Sequence, residues 1–110
     1  MDAGGADPLE GDEALAALLL LHGAVMNGGI DHAVEVLSPA QVSSALSGYR
    51  YFGLGHVAEL LQGISMPLTE AQAEKLNKEY GALVPSDSTL MHAFQVKLLA
   101  SPKAFAPVAA

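Results

Sequence analysis

The sequence predicts an all-α domain, and three observations carry that prediction. No stretch of β-branched residues alternates with period two, and no hairpin-type turn joins two such runs. Apolar residues recur instead at helical spacing, as at Leu54, Val57, Leu61 and Ile64. Two capping boxes, Ser38-Pro39-Ala40-Gln41 and Thr69-Glu70-Ala71-Gln72, mark helix starts. The expected architecture is a compact bundle of about six short helices.

Residues 1–11 are rich in Gly and Asp and read as a flexible acidic tail, leaving 12–107 as one helical domain. The first helix is expected to start near Asp12, capped by that carboxylate, and to run through Leu15, Leu18, Leu19 and Val25. Leu20 and Leu21 make it apolar on most sides, so it belongs at the centre, covered by the other helices or by a second copy. Asn27-Gly28-Gly29 is a stop signal, because glycine supplies the positive φ that ends a helix. These three residues are the expected structural turn.

Asp31 is expected to cap a short second helix, His32 to Leu37. Pro39 then occupies the first position of a third helix through Val42, Leu46 and Tyr49, ending at or before Gly53. The fourth spans Leu54 to Ile64 and is closed by Gly63 and Pro67. A fifth follows the Thr69 box with Ala73, Leu76, Tyr80 and Leu83 on one side and is ended by Pro85. Ser86 or Asp87 caps the last long helix, where Leu90, Phe94, Val96, Lys97 and Leu98 mark a half-buried pattern. A final turn through Phe105 is expected to fold back on the body.

Composition narrows the functional classes. Cysteine is absent, which removes disulfides, thiolate metal sites and thiol nucleophiles. The net charge is −7, with seven acids and no Lys or Arg in residues 1–49, and five of each sign from Arg50 onward. Such a chain repels phosphate backbones, so direct nucleic-acid binding is disfavoured; the acids serve a basic partner or simply solubility. The apolar run Ala14 to Leu21 lacks a basic flank and falls short of the ~20 residues a membrane span needs. The expected location is the cytoplasm, with no membrane partner.

Candidate chemistry is sparse. His32 with Glu35, and His56 with Glu59, each place an imidazole and a carboxylate on one helical face, a reasonable ligand set for zinc or iron. Di-iron bundles use the reverse order, Glu before His, with further Glu from other helices. The competing interpretation is a surface histidine paired with its own neighbour. His22 has no acid close by in sequence and reads as a packed or exposed residue. No serine lies in a nucleophile elbow, and Gly53-x-Gly55 is too short for a dinucleotide fingerprint. No cofactor is implied.

Tyr49-Arg50-Tyr51-Phe52 holds half of the six aromatic residues around the first basic one. Tyr and Arg are enriched at interface hot spots, which makes Tyr49, Arg50 and Tyr51 the candidate partner-binding residues. The alternative is that Tyr49 and Phe52 are core and Tyr51 an amphipathic lid.

Taken in order, Asn27-Gly28-Gly29, Tyr51-Phe52-Gly53-Leu54-Gly55-His56-Val57-Ala58-Glu59-Leu60-Leu61, Leu76-Asn77-Lys78-Glu79-Tyr80 and the closing Pro102 and Phe105 resemble a known pattern. It is that of a small all-helical family of unknown function related to a bacterial DNA-mimic protein, over roughly residues 10 to 107. The resemblance implies an all-α fold without known catalysis and, in one branch, an acidic surface that occupies a regulator's DNA-binding face. Beyond the first 13 residues, seven acids face five bases, a sparse copy of a duplex carrying a charge per ~1.7 Å. The leading functional expectation is therefore a non-catalytic protein-interaction domain. A small metal-dependent enzyme and an acidic DNA mimic are the alternatives, and self-association is left open.

Overall fold

A computed structural model describes residues 9–64 and 68–105. Among these the chain is all-helical: α1 (Glu10–Val36), α2 (Pro39–Tyr51), α3 (Gly55–Gln62), α4 (Glu70–Leu83), α5 (Asp87–Ala100) and a 3-10 turn at Pro102–Ala104. Most of the expected tail, Pro67 and residues 106–107 lie outside the described residues.

Helix α1 begins two residues before Asp12. Its N-cap is Leu9, which has no capping side chain, while Glu10, Asp12 and Glu13 in the first turn complement the helix dipole. The expected break after Met26 is present but narrower than anticipated. Asn27 and Gly28 stay helical, and Gly29 alone leaves the helix, at φ 90° and ψ 174°. Five helices therefore stand where about six were expected, because the first two segments join into one element up to a single broken residue. The N–H of Ile30 at the restart is satisfied by α4 rather than by the expected Asp31 cap. It donates to Asn77 Oδ1 at 2.8 Å, 47 residues away.

Both capping boxes form as expected. Ser38 and Thr69 each accept from the backbone N–H three residues on, and Gln41 and Gln72 reach back to the cap N–H. Ser86 caps α5 in position but makes no capping bond, and its hydroxyl pairs with Ser88 instead.

The two-residue link at Leu37-Ser38 turns α2 back along α1, bringing Gly48 beside Ala14. A Cβ on Gly48 would stand 2.5 Å from the Ala14 carbonyl oxygen, so only glycine lets the two backbones approach this closely. Helix α4 meets α1 at its break, through Asn77. Helix α5 runs antiparallel to the first half of α1, with Asp87 at the level of His22 and the following turn against α1.

The core joins Leu18, Leu21, Val25 and Ile30 of α1 to Ala45 and Tyr49 of α2, Val57, Ala58 and Leu61 of α3, and Tyr80, Val84 and Leu90 beyond. Phe105 is buried and packs with Phe52 and Phe94, so the final turn does fold back. The expected central position of α1 holds for one face only. Its outer face leaves Leu19, Leu20 and Met26 exposed, and Val96 of α5 is on the surface rather than half-buried.

Candidate functional site

Polar contacts between side chains in the core centre on His22, a position with no acid near it in sequence. One residue from each of four helices enters a single chain: Asp87 of α5, His22 of α1, Tyr80 of α4 and Tyr49 of α2. Asp87 Oδ1 lies 2.9 Å from His22 Nε2, Tyr80 hydroxyl 2.7 Å from His22 Nδ1, and Tyr49 hydroxyl 2.8 Å from Tyr80 hydroxyl.

A carboxylate only accepts, so His22 donates from Nε2, and in the neutral tautomer that this requires Nδ1 is left to accept from Tyr80. Tyr80 oxygen then accepts from Tyr49, and every proton in the chain has a destination. Among the described residues no buried side-chain polar atom lacks a partner. Polar groups set into an apolar helix bundle survive there because they satisfy one another.

Tyr49, Tyr80 and His22 are buried, whereas the Asp87 side chain is 84% exposed and anchors the outer end in solvent. Burial raises both phenols. Tyr80 is pushed up to about 12, with desolvation partly offset by the Tyr49 hydrogen bond and reinforced by the Asp87 charge. Tyr49 is driven up too, by burial first and then by Tyr80. Tyr51 is also raised, by desolvation and then by Glu10.

A group whose acid form is favoured by folding contributes stability below its unfolded value, and loses it as pH rises through the folded one. Alkaline destabilisation is therefore expected to set in above the ordinary phenol value of about 10, with Tyr80's share accruing up to its own raised value and levelling off beyond it. In a phenolate-absorbance titration, Tyr49 and Tyr80 should ionise only together with loss of helical circular dichroism. Ionisation of all three tyrosines near pH ~10 in a still-helical protein would contradict the buried chain.

The sequence-predicted residues lie elsewhere. Tyr49 is fully buried and Phe52 nearly so, which corrects the placement of Tyr49 on a partner-binding surface. The reason is its spacing: Tyr49 shares the α2 face of Ala45, which packs on α1. Tyr51 is half-buried, edge-on to Phe52, with the Lys97 ammonium 4.4 Å above its ring. Arg50 is exposed and donates to Gln62 Oε1.

Arg50 and Tyr51 nevertheless share a feature. Both line an open groove of about 830 Å³ between α1 and α2, together with Glu10, Glu13, Ser43, Ser44 and Ser47. A second, apolar groove of about 400 Å³ is lined by Val34, Leu37, Val42, Leu46, Leu61 and Ile64. A third of about 360 Å³ lies between Leu60, Ile64, Leu68 and Leu76. None of the three is lined by His22, Tyr49, Tyr80 or Asp87.

His32, Glu35, His56 and Glu59 do not converge. Among the described residues no three His, Asp or Glu side chains are grouped so as to hold a metal ion. His32 instead lies over Gly28, one turn back in its own helix, where a Cβ would stand 2.5 Å from the ring.

The signal that sequence reasoning passes over is polarity in the wrong place. A histidine in an almost wholly apolar helix needs a partner, and the apolar sides of two other helices each offer a tyrosine. Their separations of 58, 31 and 65 residues give no hint of who meets whom. Helix α1 has the length and apolar composition of a membrane-crossing segment once the residues beyond Leu21 are counted, although His22 on its inner face is committed to the polar chain. Compared with known proteins, the chain matches no family model, no curated protein and no solved structure.

Proposed function

We propose that this chain is a non-catalytic, cytoplasmic protein-interaction domain that presents the α1–α2 groove to its partner. The observation that supports this reading is a separation: the residues able to move protons along the buried chain are in the core, and the three grooves are lined by none of them. The groove has the composition of a recognition surface instead. Arg50 and the half-buried Tyr51 stand at its edge, with serine hydroxyls along one wall and Glu10 and Glu13 along the other.

A partner suited to this groove carries basic groups for the two glutamates and an acceptor for Arg50. The DNA-mimic form of the same reading draws on Glu10 and Glu13, in a half-chain that has no Lys or Arg of its own. Its partner would be a DNA-binding protein.

Affinity capture with the parent and with the Arg50→Ala, Tyr51→Ala double variant tests the proposal. The double variant is expected to lose the captured partner while its melting temperature falls only slightly, because Arg50 is exposed and Tyr51 sits at the margin of the aromatic cluster. Undiminished capture would remove the groove from the interface. Salt-sensitive capture that duplex DNA competes away would identify the mimic form.

A further inference from the structure

The outer face of α1 carries an exposed apolar strip. Ala16, Leu19, Leu20, Gly23 and Met26 are all exposed on it, and no charged residue interrupts it between Ala16 and Asn27. Leu19 is 44% exposed and Met26 58%, while a Cβ built on Gly23 meets nothing within 4 Å.

The spacing on this face is specific. Ala16, Leu19, Gly23 and Met26 fall at intervals of three, four and three, the seam spacing of paired helices, with small residues set among large. Such a seam is its own complement only when two copies run in opposite directions. Turned about an axis near Leu21, position 19 meets position 23 and position 16 meets position 26. Each large side chain then faces a small one.

Charge selects the same arrangement. Parallel copies would set Glu10, Asp12 and Glu13 against themselves. The antiparallel register brings Glu13 level with Gly29 and Asp12 level with Ile30, so these acids meet uncharged residues. An anionic lipid surface fits poorly, because residues 1–49 supply no Lys or Arg to meet it.

We propose that this face is a twofold interface between two copies of the chain, with α1 packed antiparallel on the α1 of the second copy. Leu19 of each copy seats on Gly23 of the other, and Met26 on Ala16. The interface is isologous, so it closes at two copies. Three helical turns alone fall short of the ~800 Å² per partner of a stable interface. The pairing is therefore expected to be weak and concentration-dependent. This strip meets the groove at Ala16, which lines both, and leaves Arg50 and Tyr51 outside it, so pairing of two copies does not depend on the groove being a recognition site.

The test is the mass of the full chain by analytical ultracentrifugation over a concentration series, for the parent, Gly23→Leu and Leu19→Glu. Gly23→Leu fills the gap that Leu19 of the second copy needs, yet it enters open space in the monomer and raises helix propensity. Its failure to pair is therefore not a failure to fold, and unchanged or increased thermal stability of the monomer documents that.

The expected result is a parent dimer, with both variants weakening dimerisation at least about tenfold. A parent that stays monomeric throughout overturns the proposal, as does a dimer that neither variant weakens. A monomeric parent that floats with uncharged phosphatidylcholine vesicles, when Leu19→Glu does not float, overturns it in favour of a lipid surface. Partner capture by the Arg50→Ala, Tyr51→Ala variant is measured separately, so failure of one reading is distinguishable from failure of the other.

Discussion

Replacing Tyr80 by alanine is expected to lower stability by about 3–5 kcal/mol, the range for truncating a large buried aromatic. Its ring stacks on His22 at 5.9 Å between centroids, and its hydroxyl links the imidazole to Tyr49. Tyr80→Phe separates the two contributions. It keeps the ring but takes the Tyr80 hydroxyl away from both His22 Nδ1 and the Tyr49 hydroxyl, which costs about 1–3 kcal/mol. Chemical denaturation of the parent and the two variants gives both numbers. If Tyr80→Phe is as stable as the parent, the four-helix hydrogen-bonded chain contributes nothing and Tyr80 is merely packed.

Gly29 carries the second large effect. At φ 90° and ψ 174° it occupies a region essentially restricted to glycine, and a Cβ there would stand 3.0 Å from Asp31 Oδ1 and 3.1 Å from Asn77 Nδ2. Gly29→Val is expected to cost about 1–3 kcal/mol in backbone strain, with crowding of Asn77 added to it. The Asn77 carbonyl would move off the Ile30 N–H, so the destabilisation should be accompanied by faster hydrogen exchange at Ile30. A Gly29→Val protein that melts like the parent would mean that α1 runs unbroken through this point. Gly28 is helical and is not expected to behave the same way on backbone grounds, although its Cβ would still crowd His32.

How much of this is legible in the sequence depends on how far apart the interacting residues are. The capping boxes at Ser38 and Thr69 involve partners three residues away, and both form as their local pattern predicts. Pro39, Gly53 and Pro85 bound their helices for the same reason, since their effect is on their own backbone. The Asn27-Gly28-Gly29 break stands where its glycines place it, but the pattern does not say which of the three leaves the helix. That depends on Asn77, whose carbonyl satisfies the restarted helix. Of the expected acidic caps, Asp12 stands inside the first turn of α1 rather than at its N-cap. Asp87 is the first residue of α5, and its carboxylate is drawn to a buried histidine.

The candidate site shows the same division. Tyr49, Arg50 and Tyr51 are adjacent in sequence, yet the structure sends one to the core, one to the surface and one to the margin between them. The pairs His32 with Glu35 and His56 with Glu59 have the local spacing of ligands, but convergence requires two helices to bring them together, and these do not.

By itself, the sequence determined what is decided within a helical turn or two: the all-α class, most helix boundaries, the apolar stripes, the glycine break and the one-sided distribution of charge. Those follow from backbone preference and periodicity, which act over a few residues. Only the tertiary structure decided that His22, Tyr49, Tyr80 and Asp87 belong together, that Tyr49 is inaccessible at the surface, and that one face of the most apolar helix is left uncovered. Each of those outcomes depends on which helix packs against which, and that is set by long-range burial and hydrogen-bond satisfaction that no local pattern encodes.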